Sequence, residues 1–292
     1  MSGPTSATDA TGATGAIGER FARAATIAEF LAVWLDNPLL DGPLAATFNT
    51  YYGSYRRSFS SRAQDHYAQQ MIEIEALVRS RPRVRVLEVG CGMGTESLWL
   101  GMAGADVTGV DVRPERLAVA EMRCRVLEQH LGRKIATRFS LDSLLDLSGT
   151  EPFDLIWMEQ TFHHLEPRAE AVKKIAELLK PGGKVVISEA NAWNPFLQAQ
   201  LFLRRGLPKV VTMTGPDDKT HAYGDERVTT ARRLSRDMAR VGVGEISVRH
   251  FRAFPNRSAF QRVAGLERAL AAARIVPLLT HFNYVGVREG IA

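Results

Sequence analysis

The chain has 292 residues, 45% apolar and 24% charged, which supplies a full core and excludes a disordered, collagen-like or coiled-coil protein as a whole. The net charge of +5 is uneven: from Arg227 onward 12 Arg face only Asp237, Glu245, Glu267 and Glu289, a net +8, which leaves −3 to residues 1–226. No run approaches about 18 apolar residues and the start lacks a basic, apolar leader, so a cytoplasmic protein with no membrane span is expected. Two cysteines, Cys91 and Cys124, are too few for a disulfide framework or a structural zinc cluster. The basic C-terminal region suits an anionic substrate, a membrane surface or nucleic acid; as only 7 of the 37 basic residues are Lys, Arg as an ordinary surface cation explains it equally well.

Residues 1–16 are small and polar and read as an unordered tail. Residues 17–82 read as a helical cap. Phe21, Ala25, Ile27, Phe30, Leu31 and Trp34 mark a helix from Ile17 to about Asp36, stopped by Asn37-Pro38. An aromatic loop follows from Phe48 to Phe59, then a helix from about Arg62 to Ser80, ended by Arg81-Pro82. Residues 83–292 read as one α/β domain, a doubly wound, mostly parallel seven-stranded sheet with a lid insertion over 192–226. The strands expected are Val84–Val89, Asp106–Asp111, Ala136–Phe139, Phe153–Met158, Gly183–Glu189, Glu245–Phe251 and His281–Val287, the last two as an antiparallel edge pair. Helices are expected near 95–103, 114–130, 168–179, 229–240 and 258–274.

The most specific signal is Val86-Leu87-Glu88-Val89-Gly90-Cys91-Gly92-Met93-Gly94-Thr95, a strand that enters a glycine turn and then a helix. Glycines let the backbone turn tightly and let a ligand lie against it. Asp111 follows at the end of the next strand, where a carboxylate can accept both hydroxyls of a ribose. A dinucleotide fingerprint needs a third glycine three places after the second, but that place is Thr95. Glu88, two residues before the first glycine, would repel a pyrophosphate and attract an ammonium group. A phosphate-free, cationic nucleoside such as S-adenosylmethionine fits better.

With that turn in place, the chain resembles the class I S-adenosylmethionine-dependent methyltransferases over Val84–Ala190, in the family's order. The likeness is carried by LEVGCGMG, VTGVDVRPERL, FSLDSL, FDLIWMEQTFHHLEP and LLKPGGKVVISEAN. It implies that Glu88, Gly90, Gly92 and Gly94 hold the methionine end, Asp111 the ribose, Val112 the adenine face and Asp142 its amine, with Glu159 and Gln160 beside the sulfonium. A solvated helix cap is the plain alternative for Asp142. Cys91 reads as a buried filler.

His163 and His164 sit just past the fourth strand and are the candidates for a catalytic base, not separable from the sequence; orienting the loop is the plainer role. The (Asp/Asn)-Pro-Pro-aromatic run of amino-methylating nucleic-acid enzymes is absent, no cysteine is placed for cytosine chemistry, and the acidic set of catechol-type enzymes is not found. What remains is a metal-independent transferase acting on a small, largely apolar molecule of natural-product, aromatic or lipid-like character, with oxygen as the expected atom methylated. The 192–226 insertion has a greasy face and a basic end, so Trp193, Phe196, Phe202 and Arg205 are expected to bind the acceptor, with lid packing as the alternative. Tyr51, Tyr52 and Tyr55 are candidates to close over the cofactor. Two rivals stand: a protein of this fold that keeps the cofactor but cyclises or isomerises its substrate, and a nucleic-acid methyltransferase using the basic C-terminal face. A nucleic-acid partner is not expected, and monomer and homodimer are both open.

Overall fold

The computed structural model describes residues 7–57, 59–214 and 220–290. Among the described residues five helices precede the sheet: α1 (Ala7–Arg23), α2 (Ile27–Asp36), α3 (Gly42–Tyr51), α4 (Gly53–Arg57) and α5 (Ser61–Arg79). The single helix expected over 17–36 is therefore two. The break falls at Thr26, whose hydroxyl accepts the Glu29 N–H at 3.1 Å while the Glu29 carboxylate accepts the Ala25 N–H at 2.7 Å, a reciprocal cap that starts a new helix. The unordered tail expected over 1–16 is also corrected, because helix α1 begins at Ala7; residues 1–6 lie outside the described residues. The aromatic loop expected from Phe48 to Phe59 is instead the end of α3 and all of α4. Pro43 at the start of α3 needs no hydrogen-bond donor there, and Phe48 and Tyr52 are buried.

The α/β domain follows as β1 (Arg85–Val89), α6 (Thr95–Met102), β2 (Asp106–Val110), α7 (Pro114–Leu131), β3 (Thr137–Ser140), β4 (Phe153–Glu159), α8 (Arg168–Leu178) and β5 (Leu179–Ala190). Beyond it come α9 (Pro195–Arg205), β6 (Lys209–Thr214), β7 (Thr220–Asp225), α10 (Ala231–Ala239), β8 (Val243–Phe251), α11 (Ala264–Ala272) and β9 (His281–Arg288). Seven strands form one sheet in the order β3-β2-β1-β4-β5-β9-β8, parallel except for β9, which runs antiparallel to both neighbours. Chain order reverses between β1 and β4, and ligands of open α/β sheets bind in the crevice outside such a reversal. Strands β6 and β7 form a separate hairpin, so the insertion has strands that the sequence did not suggest.

Two apolar cores flank the sheet, one under α8 and α10, the other beneath the N-terminal helices. The second is pinned by Arg123 of α7, fully buried with its guanidinium 4.5 Å from the Trp34 ring centroid and 5.1 Å from that of Phe48. The same guanidinium donates to the Met93 carbonyl at 2.7 Å and to Thr95 Oγ1 at 2.8 Å, so one cation joins the helical cap to the glycine turn. At the other end of the cap, buried Arg62 and His66 on α5 both bind the Glu267 carboxylate of α11, at 2.9 and 2.7 Å. The helical cap is thereby held at both the turn and the C-terminal region.

Candidate active site

At the C-terminal ends of β1, β2 and β4 lies a cavity of about 950 Å³, near the upper limit for pockets that hold a small molecule. Its floor is the glycine turn. Gly90, Gly92 and Gly94 all have positive φ, which glycine adopts without strain. They differ in what lies above them. A Cβ at Gly90 would stand 2.4 Å from Thr161 Oγ1 and one at Gly94 would stand 2.7 Å from the Phe139 ring, whereas one at Gly92 meets only Tyr51 Oη, at 3.9 Å. Gly92 therefore opens into the cavity. Gly94 does not line it; it caps the N-terminus of α6 and packs against Phe139, which corrects its expected place at a ligand.

Asp111 follows β2 and anchors the turn: Gly92 N–H donates to its Oδ2 at 2.8 Å and Arg113 N–H to its Oδ1 at 2.9 Å. Each oxygen keeps a lone pair for a further donor. Val112 and Asp142 line the same end, Asp142 accepting a hydrogen bond from the Ser140 hydroxyl. At the other end, Glu88, Glu96 and Glu159 converge, all lining the cavity and all buried or nearly so. Burial raises all three; the charge of Glu96, then that of Glu159, raises Glu88 further, and Glu159 is pushed up to about 8 by burial and then by Glu96 and Glu189. Their partners are neutral donors: the Ser97 hydroxyl to Glu88, the Tyr67 hydroxyl to Glu96, and Gln70 Nε2 to Glu159 at 2.7 Å. Gln160, at φ 47°, has a buried Nε2 with no partner among the described residues. Three clustered carboxyl groups whose hydrogen-bond donors among the described residues are neutral, with the buried Arg123 guanidinium acting on Glu96, together with an open Gly92 and a diol-ready Asp111, fit a cofactor that is cationic at one end and a nucleoside at the other. Sequence reasoning missed Glu96, Tyr67 and Gln70. All three lie on polar or aromatic positions that nothing local in the sequence marks as belonging to a site.

The histidines, adjacent in sequence, bond to different partners. His163 is 5% exposed, does not line the cavity, and binds Glu189 through Nδ1 at 2.9 Å, so its expected place at the reacting atoms is corrected to a supporting one. His164 lines the cavity and its Nδ1 is 2.8 Å from the Gly224 carbonyl. A carbonyl only accepts, so Nδ1 carries the proton and Nε2 of neutral His164 is an acceptor. Burial, and next the charge of His163, push His164 down to about 4, so it is neutral at physiological pH. Its ring stacks on Tyr223 with centroids 4.3 Å apart, and Leu165 bridges Tyr223 backbone to backbone. Tyr223, Ala222 and Thr220 of the hairpin, with Leu165, Pro167 and Tyr55, form the remaining wall. Tyr51 and Tyr52 also line the cavity; Tyr51 lies under the Arg116 guanidinium and Tyr52 Oη is 2.7 Å from Thr95 Oγ1.

Trp193, Phe196, Phe202 and Arg205 are not at the cavity, which corrects their expected role as acceptor contacts. Asn191 is tied to the 276–279 turn and Asn194 caps α9, so the helix leaves β5 along the surface with no buried residue. Arg205 pairs with Asp225 and Glu226 at 3.3 Å each.

Residues 87–185 match the family described as "Methyltransferase domain". The chain is 32% identical over 112 residues to a "Ubiquinone biosynthesis O-methyltransferase" of Xanthomonas campestris pv. campestris (strain B100), which covers 38% of this chain and 44% of that protein. It is 34% identical over 107 residues to "Methyltransferase GfsG" of Streptomyces halstedii, covering 36% and 37%. The chain thus spans less than half the length of these curated relatives. Among solved structures it is similar to magnesium protoporphyrin IX methyltransferase from Synechocystis PCC 6803, with a TM-score of 0.54 and 15% identity over 84% of this chain and 95% of that one, a likeness of fold. Among the described residues no helix is long and apolar enough to cross a membrane.

Proposed function

We propose that the chain carries a class I S-adenosylmethionine-dependent methyltransferase domain and, on that premise, that it methylates a hydroxyl of a small, largely apolar acceptor without a metal ion. The observation that carries this reading is the neutral, Nε2-accepting His164 in the wall of the cavity that the three carboxyl groups also line. Bound S-adenosylmethionine supplies a methyl group on positively charged sulfur.

Glu88, Glu96 and Glu159 attract the ammonium and sulfonium charges, while Asp111 accepts the ribose hydroxyls and Val112 and Asp142 flank the adenine. Tyr51, Tyr52 and Tyr55 exclude water from the sulfur end. His164 Nε2 would accept a hydrogen bond from the acceptor's hydroxyl and orient its oxygen, taking the proton only as that oxygen gains the methyl group and becomes strongly acidic, the carbon–sulfur bond breaking in the same step. The charge on sulfur is lost in that step, so positioning in a dry cavity supplies much of the acceleration. Leu165, Pro167, Ala222 and Tyr223 select an apolar body for the acceptor.

The test is formation of S-adenosylhomocysteine from a panel of hydrophobic phenols and hydroxylated lipids, in EDTA. His164→Ala is expected to lower kcat by about 10²–10⁴ with cofactor affinity unchanged. Normal turnover in that variant removes the base from the reading. An acceptor that rearranges with no S-adenosylhomocysteine formed replaces methyl transfer by cyclisation or isomerisation.

A further inference from the structure

Helix α9 is unusual in that an apolar sequence, PFLQAQLFLRR, buries no residue at all. Phe196 is 74% exposed, Phe202 57% and Leu203 83%; with Ala199 they recur every three or four residues along one face. The surface continues at both ends. Trp193 precedes the helix, and Leu207 and Val210 follow it, all exposed. Asn191 Nδ2 donates to the Val276 and Leu279 carbonyls, which lays exposed Ile275 and Leu278 beside the root of α9. A patch of that extent is rare on a monomer that meets only water.

The free charge on it is positive. Helix α9 has no Asp or Glu; Arg204 and Lys209 and, beside Ile275, Arg274 stand exposed with no carboxylate partner among the described residues, while the carboxylates at the end of α9, Asp225 and Glu226, are already paired with Arg205. A second copy of this face would bring no unpaired carboxylate of α9 to meet these cations. An apolar stripe rimmed by cations on a surface helix is the pattern of a segment that lies in the interface of a bilayer and attracts acidic headgroups. The same helix leads directly into the β6–β7 hairpin, whose Thr220, Ala222 and Tyr223 line the cavity. The patch therefore adjoins the acceptor end of the site.

We propose that α9 and the 275–278 turn dock the protein on an anionic lipid surface, from which an apolar acceptor enters past the hairpin. The second clause rests on the function proposed above; the docking itself does not. Docking is measured on the full chain, without cofactor or acceptor, by flotation with phosphatidylglycerol vesicles and with phosphatidylcholine vesicles. Wild type is expected to partition at least about 10-fold more strongly onto phosphatidylglycerol, and less as salt rises. Phe196→Ser and Leu203→Ser should each weaken it by about 10-fold, and Arg204→Gln by several-fold. Because these side chains are exposed and away from the cavity, thermal stability and turnover of a freely soluble acceptor should not change. Absence of partitioning, or partitioning equal in the Phe196 and Leu203 variants, overturns the proposal. So does a dimer, seen by light scattering, that these variants dissociate while vesicles stay unbound. Loss of docking with intact methyl transfer, or the reverse, tells the two proposals apart.

Discussion

His163 Nδ1 lies 2.9 Å from Glu189 Oε1, and the same oxygen accepts the His163 backbone N–H at 3.1 Å. Burial alone would lower His163 and raise Glu189. The contact between them outweighs it, holding His163 above its ordinary 6.5 and Glu189 below 4.5. The imidazolium so favoured sits against His164, ring centroids 3.9 Å apart. The two adjacent histidines are thus driven in opposite directions: Glu189 favours the protonated form of the buried one, while burial and the charge of His163 disfavour a second proton on the cavity-facing one.

Replacing Glu189 with Gln should undo both. His163 loses the charge that holds its proton, and His164 loses a cationic neighbour. Glu189 itself lifts His164 a little, but by less than His163 lowers it, so the net movement is upward from about 4. Proton NMR titration of the imidazole resonances reads this; an unmoved His164 midpoint would show that the two rings are not coupled. The pair also leaves a mark on stability. A depressed Glu189 stabilises above pH 4.5 and loses that as pH falls, while a raised His163 stabilises below pH 6.5 and loses that as pH rises through its folded value. The stability gap between wild type and Glu189→Gln should therefore be widest between those two pH values, as urea midpoints across the range will report.

Glu159 is pushed up to about 8, so at pH 7 it mostly carries a proton. A sulfonium or ammonium placed beside it favours the carboxylate, so binding S-adenosylmethionine should release up to about one proton near pH 7. Affinity should rise with pH and level off above about 8. Calorimetry in buffers of different ionisation enthalpy measures the release directly. In Glu159→Gln it should vanish; persistence there would assign the proton to another group.

Much of this site was legible because its chemistry is local. The glycine turn and Asp111 are fixed by short-range backbone needs, and β1 to β5 by β-branched runs between helical spacings. What could not be read depends on contacts between distant segments. Tyr223 reaches the cavity only because a hairpin folds back on Leu165, and the roles of His163 and His164 divide only because Glu189 bonds to one and Gly224 to the other. The apolar face of α9 was visible, but its spacing says nothing about which way the helix turns. That is set by Asn191 and Asn194 at its root, so Phe196 and Phe202 were assigned to the wrong surface.

Arg123 should be the residue whose loss separates the helical cap from the turn. Arg123→Met fills the space among Trp34, Phe48 and Tyr52 but cannot donate to the Met93 carbonyl or Thr95. A destabilisation of about 2–4 kcal/mol is expected from lost charge-assisted hydrogen bonds and cation–π contacts. Cofactor affinity should fall with it, because Thr95 also holds Tyr52 over the cavity. Denaturant unfolding and calorimetry on one preparation check both; lost stability with unchanged affinity would mean the cap is only a packing element.

Gly90 and Gly92 provide the sharpest contrast within the turn. Both have positive φ, so an Ala at either carries a left-handed strain of about 1–2 kcal/mol. At Gly90 the new Cβ also drives into Thr161, whose hydroxyl is itself held to the Glu159 carbonyl at 2.9 Å, so the turn must shift and stability should fall further. At Gly92 the Cβ enters open cavity, touching only Tyr51 Oη at 3.9 Å. Gly92→Ala should therefore unfold only slightly more easily than wild type yet bind S-adenosylmethionine at least about 10-fold more weakly, because the methyl stands where the cofactor must lie against the backbone. Thermal melts and binding isotherms on the two variants decide it. Should Gly92→Ala bind normally, the cofactor does not rest on this turn, and the assignment of Glu88 and Asp111 to its two ends falls with it.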